Sequence, residues 1–123
     1  MGKEKRHFKR LPIRGFMSCS TDFLLKEQQV VGVDVLSLSA GGMFIALDES
    51  KNHEMVHGDD LDEITIHLAE LNGLALKGKV AHLMSLGEIG GCGIEFEDMG
   101  EDTVTKLDRY VSRKLEEFGL AAF

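Results

Sequence analysis

Apolar residues recur at period two through most of this chain and at helical spacing only once, close to the C-terminus. That single change of period constrains the fold more than any other feature. Val104, Leu107, Val111, Leu115 and Phe118 fall three and four residues apart, which predicts an amphipathic helix over about Asp102 to Phe118. Glu101 and Asp102 at its start and Arg113 and Lys114 near its end complement the helix dipole, and Gly119 supplies a stop. A chain whose remaining segments alternate must build its core from strands and use the one helix as a cover.

The strands are read from alternation and β-branching. Ile13 to Asp22 alternates loosely, and Gln29 to Ser39 is dominated by Val30, Val31, Val33 and Val35. Ser39-Ala40-Gly41-Gly42 interrupts the pattern and Met43 to Leu47 resumes it, the signature of a tight hairpin. Asp48 to Asp60 is polar and reads as a loop. Ile64, Ile66 and Leu68 mark a half-buried strand, and Asn72-Gly73 offers a turn. Leu74 to Met84 follows with Leu74, Leu76, Val80 and His82 on one face, then Gly90 to Glu97 with Cys92, Ile94 and Phe96. Gly93 lies between these where a backbone or ligand can come close. The expected fold is all-β with a C-terminal helix: a six-stranded antiparallel barrel, closed so that no edge is left to aggregate. Pro12 ends a charged, exposed arm, so the division expected is 1–12 as a flexible basic arm and 13–123 as the barrel with its helix.

Charge is distributed unevenly. Lys3, Lys5, Arg6, Lys9, Arg10 and Arg14 stand against Glu4 alone in the first 14 residues, within a chain of net charge −7. An acidic body repels a nucleic-acid polymer, whereas a short cationic arm can close over one compact anion. Small phosphorylated ligands are therefore expected, with no DNA partner and no membrane insertion. No hydrophobic signal segment follows the first residues, and a cytoplasmic protein is expected. Cys19 and Cys92 lie far apart and outside any Cys-x-x-Cys spacing, which favours buried free thiols. His53 and His57 have helical metal-ligand spacing, but their segment has no helical period and no third ligand, so no metal site is assigned. His67 and His82 have no nucleophile or carboxylate beside them at a catalytic spacing, and no catalytic residue is assigned.

Two segments carry the functional signal: Arg6-His7-Phe8-Lys9-Arg10 in the arm and Ser37-Leu38-Ser39-Ala40-Gly41-Gly42 at the first hairpin. Together they resemble the PilZ family, marked by an Arg-x-x-x-Arg pair and, further along, an (Asp/Asn)-x-Ser-x-x-Gly turn. Arg6 and Arg10 match the pair; Ser39 and Gly42 match the turn. The resemblance extends through Gly41-Gly42-Met43-Phe44, Gly78-Lys79-Val80-Ala81-His82, Gly91-Cys92-Gly93-Ile94-Glu95-Phe96 and the helix. It departs at Ser37, where the family has Asp or Asn; a hydroxyl is shorter than a carboxylate and offers one oxygen rather than two.

The resemblance implies a regulatory domain, not an enzyme, that needs no cofactor and binds the second messenger cyclic di-GMP in the control of motility and biofilm. Arg6 and Arg10 would clamp the ligand, since a guanidinium fork suits both phosphate oxygens and the guanine edge. Ser37 and Ser39 would read guanine edges, Gly41 and Gly42 would allow close backbone approach, and Lys5 and Lys9 would assist electrostatically. Ordering of the arm would then signal to a downstream protein, from a monomer or dimer. The alternative, favoured by Ser37, is a degenerate PilZ-like adaptor that binds no nucleotide and acts through protein contacts.

Overall fold

The computed structural model describes residues 8–47, 55–86 and 89–120. Seven strands precede the helix: β1 (Arg10–Pro12), β2 (Ser20–Leu25), β3 (Gln28–Ser39), β4 (Gly42–Leu47), β5 (Asp60–Ile66), β6 (Leu76–Leu86) and β7 (Ile89–Glu97), then α1 (Glu101–Glu117). A short 3-10 turn, Ala69–Leu71, links β5 to β6. The strands run β1-β3-β2-β5-β6-β7-β4, and the β3–β4 pairing closes β2 to β7 into a six-stranded antiparallel barrel. The seventh strand, β1, is an addition. β3 is long enough to pair with β2 through Gln28–Asp34 and with β1 through Ser37–Ser39, while β4 takes its opposite edge.

Core positions follow the period-two expectation. Phe23, Leu25, Leu38, Met43, Ile45, Leu61, Ile64 and Val80 are fully buried inside the barrel, and Leu107, Tyr110, Val111 and Leu115 of α1 are buried with them. The helix packs on β1, β3 and the 3-10 turn, and Arg113 pairs with Glu70 across that last contact. It ends as expected: Gly119 takes φ +74°, its N–H donates to the Glu116 carbonyl, and the Leu120 N–H donates to Leu115 at 2.7 Å. These two bonds form a Schellman motif.

Four expectations need correction. The arm was expected to run to Pro12, but Arg10–Pro12 is strand and Leu11 is fully buried, because an apolar residue beside a free stretch of β3 gains both ladder bonds and burial. The first strand was expected over Ile13–Asp22 and lies instead at Ser20–Leu25. Ile13 closes a turn, its carbonyl accepting the N–H groups of Phe16 and Met17 at 2.9 Å each. The true alternation was hidden by Thr21, which occupies a core position with its hydroxyl donating to the Thr65 carbonyl at 2.7 Å. β5 starts at Asp60, and Leu61 and Ile64 both point inward although three residues apart, since Glu63 at φ +48° inserts a bulge. His82 does not share the inward face of Leu76 and Val80: the register shifts between Val80 and His82, and the bulge turns His82 to the outside.

Candidate functional site

The hairpin between β3 and β4 and the strand β1 meet on the outer barrel surface, and pairing carries two rows of outward residues across it. One row runs Ser37, Phe44, Gly93, His82 over β3, β4, β7 and β6. The other runs Arg10, Ser39, Gly42, Glu95, Lys79, beginning on β1. Between them lies a cleft of about 370 Å³, lined by Arg10, Ser37, Gly41, Gly42, Phe44, His82, Gly93 and Glu95 among others. That volume is near the low end of the roughly 300–1,000 Å³ typical of small-molecule sites.

Arg10 is the cation of the cleft. Its Nη1 donates to Ser37 Oγ at 2.9 Å, a diagonal contact across the β1–β3 pair. Ser37 is neutral, and no carboxylate of the described residues forms an ion pair with Arg10, so the guanidinium keeps its charge for an incoming anion. Ser39 is held within its own turn. It is buried, stands outside the cleft lining, accepts the Gly41 N–H at 3.2 Å and directs its own hydroxyl to the Gly42 carbonyl at 3.3 Å. Its hydrogen-bonding capacity shapes the turn.

Gly42 answers to the barrel as well. A Cβ there would stand 2.2 Å from the Ile94 carbonyl oxygen, so only glycine lets β4 approach β7 at this point. Gly41 faces a side chain instead, the Phe8 ring, which lies across it. On β7, a Cβ at Gly91 would meet the Phe44 ring at 2.4 Å and one at Gly93 would meet the His82 ring at 3.2 Å. The two aromatic side chains thus rest on a strip of bare backbone.

Of the residues singled out from sequence, Arg10, Ser37, Gly41 and Gly42 are brought together at the cleft. Lys9 is exposed and outside the lining, and Lys5 and Arg6 lie outside the described residues. Phe44, His82 and Glu95 also line the cleft and were not singled out from the sequence. Phe44 could have been found as the one aromatic on the outward positions of a strand leaving a Gly-Gly turn, but the bulge in β6 concealed His82. Elsewhere, burial pushes the Cys19 thiol up to about 11, and burial with the nearby Asp59 charge pushes Cys92 up to about 12. Both are free. Burial alone would raise Asp22, yet its carboxylate accepts the Gly32 N–H and pairs with His67 at 2.9 Å, which together hold it below the usual range. His53 lies outside the described residues, among which no three His, Cys, Asp or Glu residues group as metal ligands.

The PilZ domain family matches residues 4–113. The chain belongs to the PilZ family. Its fold is similar to those of three solved structures: the Bacillus subtilis inhibitor of motility MotI (TM-score 0.74, 16% identity, 94% of this chain and 53% of that one); the PilZ domain of Escherichia coli YcgR with c-di-GMP (0.70, 14%, 94% and 98%); and K. pneumonia MrkH in its c-di-GMP complex (0.76, 15%, 95% and 54%). This PilZ chain spans about half the length of MotI and MrkH and nearly all of the YcgR domain. No curated protein matches it in sequence. No helix among the described residues is long and apolar enough to cross a membrane.

Proposed function

We propose that this PilZ domain binds cyclic di-GMP on the outer face of its barrel and relays binding to a partner protein without catalysis. The observation that carries the reading is Arg10: a guanidinium with no carboxylate partner among the described residues, held by a neutral hydroxyl at the rim of a cleft floored by glycine backbone. Cyclic di-GMP brings two phosphodiester charges and two guanines. Arg10 meets a phosphate or the O6/N7 edge of one guanine, and Arg6, four residues earlier, reaches the other part of the ligand from the arm. Ser37 positions Arg10, so its departure from Asp or Asn costs the site a ligand acceptor while sparing the arginine's charge. Two neighbours, YcgR and MrkH, are c-di-GMP complexes, and MotI is an inhibitor of motility; control of motility from the bacterial cytoplasm is the process assigned here.

The signal is smaller than an arm of 12 residues going from disorder to order. Phe8 already lies on Gly41 and Leu11 is buried, so from Phe8 onward the ordering cost of roughly 1 kcal/mol or more per residue fixed is already met in the fold. The adaptor reading draws on one observation, the commitment of Ser39 to its own turn, which leaves the hairpin side of the site with Ser37 alone.

Isothermal titration with cyclic di-GMP, with linear GMP as control, decides between them. Heat from the wild type that disappears in both Arg6→Ala and Arg10→Ala supports the sensor. No heat from a wild type shown to be folded overturns it in favour of the adaptor.

A further inference from the structure

His82 and Glu95 are the titratable side chains of the cleft that the family motifs leave without a role, and of the two only His82 can offer N–H donors. It sits on β6 opposite Gly93 of β7, turned outward by the bulge after Val80, with its ring against the Gly93 backbone. Phe44 occupies the matching place on β4, on the other side of Gly93. The His82 ring covers Gly93 and the Phe44 ring covers Gly91, and both line the cleft that Arg10 and Ser37 border, so a planar heterocycle entering the cleft meets the exposed imidazole. Among the described residues His82 makes no hydrogen bond or ion pair, so its ring nitrogens are available to a ligand.

We propose that His82 is a specificity residue that recognises a guanine edge in its protonated form, so that ligand binding takes up a proton. The proposal rests on the cyclic di-GMP reading above. Guanine presents two acceptors, O6 and N7, on the edge away from its pairing face, whereas adenine presents N7 and an amino donor. An imidazolium carries only N–H donors. Beside Arg10, another pure donor, it completes a lining that satisfies guanine and sets a donor against adenine's amino group.

Arg10 on β1 and Glu95 on β7 are the charged groups that share the cleft with His82. Lys79, on β6 itself, is engaged by Asp60 at 3.6 Å and by Glu97 at 4.0 Å, and Phe44 of β4 carries no charge. A bound phosphodiester offsets Arg10, and the bound state therefore holds the His82 proton more tightly than the free state. Affinity must then rise as pH falls through the imidazole range, about pH 8 to 5.

The test is titration of the full chain with cyclic di-GMP and cyclic di-AMP between pH 8 and 5.5, in two buffers of different ionisation enthalpy. The wild type is expected to bind the guanine ligand about five- to tenfold tighter at pH 5.5 than at pH 8, with proton uptake from the buffer. His82→Gln keeps an N–H donor that cannot titrate and should flatten the profile. His82→Ala should lose at least about fivefold of the guanine-over-adenine preference. His67→Gln, on the Asp22 pair outside the cleft, should keep the wild-type profile. A pH dependence unchanged in His82→Gln, or a base preference unchanged in His82→Ala, overturns the assignment while leaving the function standing. A wild type that binds neither ligand at any pH overturns both.

Discussion

Gly42→Ala separates what the barrel needs from what a ligand needs. The added Cβ would stand 2.2 Å from the Ile94 carbonyl oxygen, a backbone atom that no rotamer change can move. Restoring an ordinary contact requires β4 and β7 to part by about 1 Å at the Gly42–Glu95 pair. The adjacent bond from the Phe96 N–H to the Gly41 carbonyl, 2.9 Å in the native hairpin, would be stretched out of range by the same shift. Overpacking of this kind costs about 1–3 kcal/mol and a lost backbone bond about 1 more, so the substitution should destabilise the domain by about 2–4 kcal/mol. For a chain of this size that lowers Tm by about 8–15 °C in calorimetry or thermal circular dichroism. Gly41→Ala is the control: its Cβ meets the edge of the Phe8 side chain at 3.2 Å, which a small ring movement relieves, and the cost should stay below about 1 kcal/mol. A Gly42→Ala protein within 0.5 kcal/mol of wild type, measured by urea unfolding with an unchanged slope, would refute the closure argument and return this glycine to the ligand.

Three further outcomes follow from the same coordinates. Cys19 and Cys92, buried and held near 11 and 12, should be inert to Ellman's reagent at pH 8 in the folded protein and both react in guanidinium; reaction before unfolding would contradict their burial. Lys26 and Glu27 form the two-residue β2–β3 loop at φ +53° and +66°, so Lys26→Asn with Glu27→Gly should stabilise the domain by about 1 kcal/mol, raising Tm by about 3–5 °C. Asp22, depressed in the folded state, contributes stability above its unfolded range near pH 4 that is lost as pH falls through the folded value; Asp22→Asn should be less stable than wild type at pH 7 and converge with it near pH 2 in urea unfolding.

The helix, the Gly41-Gly42 hairpin and the closing strand were legible because each rests on a local rule: a 3.6 period with a glycine stop, a turn composition, an uninterrupted alternation. What escaped the sequence lies where tertiary contacts override such rules. Thr21 fills a core position only because the Thr65 carbonyl waits for its hydroxyl. Lys26-Glu27 turns with residues that no turn preference would choose. The site was legible in its arginine and its hairpin, since those carry the family resemblance. A hydroxyl's partners cannot be read from its position, and the two that Ser39 finds in the structure lie within its own turn. His82 was placed on the wrong face because one extra residue in β6 reverses the alternation beyond it.

Amide chemical-shift mapping of the folded chain during titration with cyclic di-GMP tests the central claim most directly. The account predicts that the largest changes fall on Arg10, Ser37, Gly41, Gly42, Phe44 and Gly93, a patch contiguous only in the folded barrel, and that Arg10→Ala abolishes them. Saturable changes centred elsewhere, on α1 or the β2–β5 side, would contradict it, as would a spectrum that the ligand leaves unmoved.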